Sequence, residues 1–188
     1  YRQVHLDFHT SEHISGIGSR FSKQQFQQAL QAGHVDSITL FSKCHHGWSY
    51  HPTRTNEQHP GLSFDLLGAQ LEACREIGVR APVYMSAGHD EKDARRHPDW
   101  VVRSEPDAVP SFDEPMYHYL CFNSPYLDRL LAQTAEVMER YHPCGVFFDI
   151  CAPHICYCPA CRAQMEREGL SAAELSEKVY AHFCRSVR

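Results

Sequence analysis

The 188-residue sequence contains no long hydrophobic run, no cluster of basic residues and no low-complexity tract. Its apolar stretches are a few residues long, far below the roughly 20 that a membrane-spanning helix needs. The lack of a Lys- or Arg-rich segment argues against a nucleic-acid partner, and the lack of an acidic tail argues against a disordered region. Charges of both signs are interspersed, with a net charge of −5. These absences predict a globular domain that binds neither membranes nor nucleic acids.

The nine cysteines fall in clusters rather than evenly along the chain. A chain of this length can bury a core without disulfides, so we predict reduced, metal-linked cysteines in a cytoplasmic protein. The sequence starts at Tyr1 and ends on "AHFCRSVR", which still has a helical pattern. We therefore expect residues 1–188 to be a fragment of a longer domain.

Strand-like and helix-like segments alternate along the chain. Apolar patterns predict strands at 2–10, 35–44, 79–87 and 144–151. Helical spacing predicts helices at 21–33, 63–78, 124–142, 158–169 and 171–187. The predicted capping residues are Ser63 and Ser124 at helix starts, with Pro125 at a first helical position, and Gly33 and Gly78 at helix ends. A long loop with four prolines is expected between the third strand and the helix at 124–142.

Repeated strand–helix units predict an α/β fold with parallel strands and crossover helices. A doubly wound sheet and the first half of a TIM (β/α)8 barrel both fit, since a whole barrel takes about 250 residues. In "VHLDFH", His5, Asp7 and His9 share one face of the strand and apolar residues share the other. A polar face toward a lined cavity favours the N-terminal part of a barrel.

Polar and aromatic residues stand at the C-terminal ends of all four predicted strands, where barrels carry their active sites. They are Asp7, His9 and Thr10; Lys43, His45, His46, Trp48 and Tyr50; Tyr84, Ser86 and His89; and Asp149. Aromatic rings stack on the apolar faces of sugars and imidazoles hydrogen-bond to hydroxyls, so the set predicts a carbohydrate pocket. For a single histidine such as His51, His59 or His97, a surface or internally bonded role is the commoner one.

Asp149 ends the apolar run "VFFD". A carboxylate at the end of a buried strand is held rigidly, as a nucleophile or an acid/base must be. The alternative is an aspartate that caps a helix or anchors a loop.

Three cysteines follow in a C-x-C-x2-C arrangement, which is too tight for mutual disulfides and well spaced for tetrahedral zinc. They are Cys156, Cys158 and Cys161, and the candidates for a fourth ligand are Cys121, Cys151 and His154. We predict Cys121, because a barrel places the loops after the third and fourth strands side by side. Such a site has no open position and would be structural, and no organic cofactor is expected. A redox-active or simply unpaired cysteine group is the alternative.

These residues also resemble known families. Cys121 in "CFNSP", followed by "CYCPAC", is similar to the zinc cluster of glycoside hydrolase family 42 β-galactosidases. "HHGWSY" and "FFD" resemble family 29 α-L-fucosidases, whose "HHDGF" stretch binds the sugar and whose strand-four Asp is the nucleophile. Family 42 has Asn-Glu at that strand end, where this chain has Phe148-Asp149. Together with "RQVHLDFHTSEHI", the features resemble the hypothetical glycosyl hydrolase domain of family 151 α-L-fucosidases.

The resemblance implies a retaining, exo-acting α-L-fucosidase with Asp149 as the nucleophile. It implies substrate binding by His9, His45, His46, Trp48, Asp7, Tyr84 and His89. The acid/base carboxylate would come from later strands, with Glu105, Asp107, Asp113 and Glu114 as local alternatives. A domain beyond residue 188 would make the parent protein a homo-oligomer.

Three other functions stay open at this point. The first is a β-galactosidase-like glycosidase. The second is a metal-dependent hydrolase that uses His5, Asp7, His9, His45 and His46. His5 and His9 would lie about 13 Å apart along a strand and cannot share one ion, which leaves a metal bound by Asp7 and His9 with later ligands. The third is a zinc-containing half-barrel that serves in binding or assembly without catalysis.

Overall fold

The computed structural model describes all of residues 1–188. They form two compact units, of which the first comprises residues 1–86 and 133–149 and the second residues 87–132 and 150–188. The first unit contains the β-sheet, and the second contains the predicted cysteine cluster.

Four parallel strands form one sheet in chain order. They are β1 (Gln3–His5), β2 (Ser37–Lys43), β3 (Val83–Ser86) and β4 (Val146–Asp149). Each strand pairs with the next in sequence, as in a barrel, and the sheet curls into a half-barrel with helical crossovers. This confirms the predicted fold class, the N-terminal part of a (β/α)8 barrel, over the doubly wound alternative.

The helices are α1 (Lys23–Ala32), α2 (Leu66–Glu76), α3 (Glu91–Arg96), a 3-10 helix (Pro98–Trp100), α4 (Tyr126–Tyr141), α5 (Pro159–Glu168) and α6 (Ala172–Ser186). A polar side chain caps several of them, as Ser22 caps α1 and Ser171 forms a capping box with Glu174 at α6. None of the helices is long and apolar enough to cross a membrane. The cytoplasmic location stays a prediction.

The helix caps differ in part from the sequence prediction. The α2 cap is Asp65 rather than Ser63, since the Asp65 carboxylate accepts the backbone N–H of Gly68 at 2.8 Å. Two short helices, α3 and the 3-10 helix, lie within the predicted long loop. Asp90 caps α3 by accepting the backbone N–H of Asp93. The signal was present in "HDEKDARRHP", with an aspartate cap and a proline stop.

β1 is much shorter than the predicted strand at 2–10. The strand ends at His5, and the last backbone hydrogen bond between this segment and β2 joins the N–H of Leu6 to the Thr39 carbonyl at 3.3 Å. The Tyr50 hydroxyl then holds the chain, because it donates to the Phe8 carbonyl (2.9 Å) and accepts from the backbone N–H of Thr10 (3.1 Å). A buried side chain therefore replaces the strand ladder.

The end of β4 also differs from the prediction. The strand stops at Asp149, and Ile150 adopts a left-handed conformation with φ 57°. Cys151 therefore lies outside the strand, and the prediction that the strand extends to residue 151 was wrong. Gly88 accommodates this turn, since a side chain there would overlap the Ile150 carbonyl.

The sheet face that meets the helices is a buried apolar layer. Its strand residues are Ile38, Leu40, Val83 and Met85, and each is at most 2% exposed. Helix α2 contributes Leu67 and Leu71, which are equally buried. Full burial of such a side chain contributes about 1.5–3 kcal/mol.

Glu136 on α4 is a buried anion that fixes the loop after β2. Its carboxylate accepts hydrogen bonds from both hydroxyls of Thr53 and Thr55 and from the backbone N–H groups of Arg54 and Thr55, at 2.5–3.0 Å. Burial acts to raise the pKa of Glu136, but the hydrogen bonds from Thr55 and Thr53 lower it from 4.5 to about 2. No pattern in the sequence predicted a role for this residue.

We expect Glu136→Gln to lower the free energy of unfolding at neutral pH by about 1.5–3 kcal/mol, since charged hydrogen bonds are lost. The depressed pKa means that this stabilisation is complete above pH 4.5 and is lost as the pH falls through about 2. Urea unfolding at pH 7 and at decreasing pH measures both effects. Glu139→Gln, at an exposed position of the same helix, is the control. Equal loss in both variants at pH 7 would contradict the assignment.

Candidate active site and thiolate cluster

Three aromatic rings form a ladder across the face of the half-barrel opposite the helices. The rings of Phe41 and Tyr84 stack with centroids 3.8 Å apart, and those of Tyr84 and Phe147 follow at 5.9 Å. The strand register causes this, since Phe41 pairs with Tyr84 and Tyr84 with Phe147. The His5 ring contacts all three, at 5.5–5.6 Å. Asp149 lies on the same face, two residues beyond Phe147 on β4.

Asp149 is the last residue of β4 and pairs in register with Ser86 of β3. The Tyr84 hydroxyl donates a 2.6 Å hydrogen bond to Asp149 Oδ2. His45 Nε2 lies 3.9 Å from the same oxygen. The side chain of Asp149 remains 36% exposed, so the carboxylate is fixed in place and still accessible to a ligand.

Tyr84 differs from the other predicted substrate-binding residues because it is 1% exposed. Burial and the hydrogen bond to Asp149 raise the pKa of the Tyr84 hydroxyl, which therefore stays a hydrogen-bond donor. The sequence pattern predicted Tyr84 at the strand end but not its bond to Asp149.

His45 follows β2 and is oriented from both sides. Its Nδ1 lies 2.7 Å from Ser86 Oγ, and its ring stacks on the His9 ring with centroids 4.0 Å apart. The backbone N–H of His45 also donates to His9 Nδ1 at 3.2 Å. The segment after β1 and the loop after β2 are therefore held together at this point.

The tautomer of His9 follows from its partners. Nδ1 accepts from the His45 backbone, and Nε2 lies 2.9 Å from the Asp7 carboxylate, to which it donates. Burial lowers the pKa of His9 more than Asp7 raises it, so the neutral form with a proton on Nε2 is favoured. Both ring nitrogens of His9 are thus engaged, which argues against the metal-dependent hydrolase that used His9 as a ligand.

His46 and Trp48 are half-buried in the same loop. A hydrogen bond to its own backbone N–H lowers the pKa of Glu12. A hydrogen bond from the Trp48 indole and the nearby His46 also lower this pKa, whereas burial acts to raise it. Glu12 was not among the predicted site residues, although its carboxylate lies beside two of them. Its place in "HTSEH", directly after the first predicted strand, was an available signal.

The remaining predicted residues belong to the second unit. The His89 ring packs against Tyr119 at 4.4 Å and Tyr117 at 5.7 Å. The four carboxylates proposed as local acid/bases, Glu105, Asp107, Asp113 and Glu114, are all exposed. Substrate binding by His89 and acid/base roles for these carboxylates stay predictions.

The thiolate cluster forms from the four predicted cysteines. The Sγ atoms of Cys121, Cys156, Cys158 and Cys161 all lie within 4.8 Å of one another, and each residue is at most 5% exposed. Of the three candidates for the fourth position, the structure selects Cys121, whose Sγ lies 3.5 Å from that of Cys161. None of the nine cysteines forms a disulfide.

The segment 100–103 joins the two cysteine-bearing parts of the chain. The backbone N–H of Cys121 donates to the Trp100 carbonyl, and that of Tyr157 donates to the Arg103 carbonyl. The two other cysteines lie at the start of α5, with Cys158 as its N-cap and Cys161 in the first turn. The positive end of the helix dipole favours thiolates there.

The cluster fits a tetrahedral metal ion. Bonds of about 2.3 Å from zinc to four sulfurs imply S···S distances of about 3.8 Å, comparable with those here. Hydrogen bonds within the group shift the thiol pKa values in opposite directions. The bond with Cys121 lowers the pKa of Cys156 and of Cys158, and the bond with Cys156 raises the pKa of Cys121. Backbone N–H groups two residues along the chain donate to Cys121 and Cys156, both at 3.4 Å. The donors are those that thiolate ligands need.

A parallel half-barrel with an accessible carboxylate at the end of β4 and imidazoles from the loop after β2 has the architecture of a glycoside hydrolase barrel. Comparison with known families agrees. Residues 22–150 match the family described as hypothetical glycosyl hydrolase 6, and the chain belongs to that family. The predicted resemblance is therefore confirmed.

Solved structures give the same fold. α-L-Fucosidase isoenzyme 2 from Paenibacillus thiaminolyticus is 51% identical to this chain, with a TM-score of 0.95. The match covers 100% of this chain and 30% of that fucosidase. Thermotoga maritima α-fucosidase with a mechanism-based inhibitor is 23% identical, with a TM-score of 0.52, and the match covers 73% of this chain and 31% of that one. A hypothetical protein from Ruminiclostridium thermocellum is 11% identical, with a TM-score of 0.66, and the match covers 92% of this chain and 90% of that one. The last two show the fold alone, and this chain spans about a third of each fucosidase.

Proposed function

We propose that residues 1–188 are the first four βα units of the catalytic barrel of a retaining, exo-acting α-L-fucosidase. The 51% identity to an α-L-fucosidase along the whole chain supports the substrate, a terminal α-L-fucosyl group. Oligomerisation through a domain after residue 188 and a cytoplasmic location belong to the same proposal.

Asp149 is the nucleophile in this proposal. The observation that carries it is the carboxylate at the end of β4, held by Tyr84 at 2.6 Å and still 36% exposed. Asp149 attacks the anomeric carbon while the glycosidic C–O bond breaks, and the leaving oxygen takes a proton from a second carboxylic acid. Water, deprotonated by the same residue, then cleaves the glycosyl ester and frees Asp149.

The residues around Asp149 hold it and bind the sugar. Tyr84 fixes one oxygen of the nucleophile, so the other can face the anomeric carbon. His45, oriented by Ser86 and His9, presents Nε2 beside the carboxylate and donates to a sugar hydroxyl. Asp7 keeps His9 in the tautomer that accepts the His45 backbone N–H.

His46, Trp48 and His89 complete the proposed set of sugar contacts. Trp48 packs on the fucose methyl group or the aglycone, and its indole is oriented by Glu12. The barrel strands that follow residue 188 supply the acid/base, about 5–5.5 Å from Asp149 in a retaining enzyme.

The thiolate cluster binds structural zinc in this proposal. Cys121, Cys156, Cys158 and Cys161 supply four sulfurs and leave no open coordination position, so zinc has no catalytic role here. Its contribution is to hold the segment that begins one residue after Asp149.

The test uses the complete protein that contains residues 1–188. We expect hydrolysis of 4-nitrophenyl α-L-fucoside at least tenfold above hydrolysis of 4-nitrophenyl β-D-galactoside. Proton NMR at early times should show α-L-fucose as the first product, since a double displacement retains the anomeric configuration.

The galactoside is included because the cysteine cluster resembles that of β-galactosidases. Turnover of the galactoside alone would replace the fucosidase proposal with that activity. Initial β-L-fucose would contradict the retaining mechanism, and no turnover of either would favour a binding or assembly role.

A further inference from the structure

Asn123 contacts thiols on both cysteine-bearing segments. It follows Cys121 by two residues, and its backbone N–H donates to Cys121 Sγ at 3.4 Å. Its side-chain amide Nδ2 lies 3.7 Å from Cys161 Sγ, 38 residues further along the chain, in position to donate to it. One residue therefore joins the turn after the long third loop to the first turn of α5.

Apart from the thiols themselves, the other donors to the cluster belong to the backbone. Cys156 accepts from the backbone N–H of Cys158 at 3.4 Å and from that of Arg103. Backbone donors are present whatever the side chain. The amide of Asn123 is thus a donor from a side chain outside the four cysteines, and substitution can remove it.

The cluster needs such donors because of its charge. Four thiolates on a divalent ion carry a formal charge of 2−, and these are at most 5% exposed. The surrounding side chains, Leu175, Val102, Met165, Leu170 and Val179, are apolar. A buried charge in apolar surroundings requires hydrogen bonds, and a thiolate that lacks them is more basic and more reactive.

We infer that Asn123 is a positioning residue of the metal site, whose side-chain amide keeps Cys161 bound as a thiolate and slows loss of the metal. The inference rests on the zinc proposed above. It predicts that Cys161 becomes the ligand most readily released and modified when the amide is removed.

The test compares the complete wild-type protein with Asn123→Ala and Asn123→Asp. Metal content is measured first by mass spectrometry of the elements, and zinc release into excess chromogenic chelator is then followed with time. We expect both variants to bind one equivalent and to release it about 10–100-fold faster, the usual effect of losing a partner of a metal ligand. Asn123→Asp has the shape of asparagine but no donor, so it serves if Asn123→Ala does not fold.

A second readout identifies the ligand. Limited alkylation followed by peptide mass spectrometry should label Cys161 first in the variants. Gln164→Ala is the matched control. Gln164 lies on α5, as Cys161 does, and its side-chain amide donates to Glu168 and not to a thiol. Its release rate should equal that of the wild type.

The outcomes separate the two proposals. Wild-type protein without an equivalent of zinc would overturn both the zinc and the role of Asn123. Bound zinc with release from the Asn123 variants within twofold of the wild type would overturn the role of Asn123 alone. Faster release in Gln164→Ala as well would indicate a general loosening of α5 and would also overturn it.

Discussion

Asp149→Asn should reduce fucoside hydrolysis by roughly three to six orders of magnitude, as loss of a catalytic nucleophile does. The amide keeps the shape of the side chain and its bond to Tyr84 but cannot attack the anomeric carbon. Steady-state assay of the complete protein measures the loss, and a thermal unfolding scan checks that the variant is folded. Asp99→Asn, at an exposed position, is the matched control and should keep full activity.

Chemical rescue makes the test specific for a nucleophile. In Asp149→Gly, azide should occupy the space of the carboxylate and restore turnover of an activated fucoside, with β-fucosyl azide as the product. A residue that only binds sugar would not be replaced in this way. Near-wild-type activity in Asp149→Asn would assign the nucleophile elsewhere, and the exposed carboxylates Glu105, Asp107, Asp113 and Glu114 would be substituted next.

Cys158→Ser should unfold the second unit. Zinc on four cysteines has an apparent binding free energy of about 10–16 kcal/mol, which equals or exceeds the total stability of about 5–15 kcal/mol of an ordinary domain. Cys158 is fully buried, so a serine hydroxyl there is also left in an apolar shell. Hydrogen exchange of residues 150–188 measures the effect, and chelation of the wild type should reproduce it.

Cys144→Ser is the control for this prediction, since Cys144 is exposed and outside the cluster. It should leave metal content and protection unchanged. Chelation that removes the metal and leaves residues 150–188 protected would contradict a structural role. Activity that disappears and returns with the metal in a folded protein would instead indicate a catalytic ion.

The sequence predicted the parts of the molecule that depend on local pattern. The three longer strands, the crossover helices and the C-x-C-x2-C ligands follow from periodicity and spacing, and Cys121 was selected because barrel topology brings loops together. Asp149 was identified because an apolar strand ended in a carboxylate. The family resemblance then supplied fucose as the expected sugar, where the pattern of residues predicted only a carbohydrate pocket.

The features that were missed depend on contacts between distant residues. β1 ends early because the Tyr50 hydroxyl, forty or more residues along the chain, satisfies the Phe8 carbonyl and the backbone N–H of Thr10. Tyr84 reaches Asp149 and Glu136 reaches the loop at 53–55 only through the packing of the fold. The misplaced cap of α2 is different, since Ser63 and Asp65 both suit an N-cap and spacing does not separate them.

The two tryptophans of this chain provide one fluorophore in each unit. The Trp48 indole bonds to Glu12 within the proposed sugar pocket, so its emission should respond to an occupying ligand. Trp100 stacks on His97 with centroids 3.8 Å apart, and its carbonyl holds the backbone of Cys121. Replacing either indole by phenylalanine leaves one reporter, so that ligand binding is followed in Trp100→Phe and metal loss in Trp48→Phe.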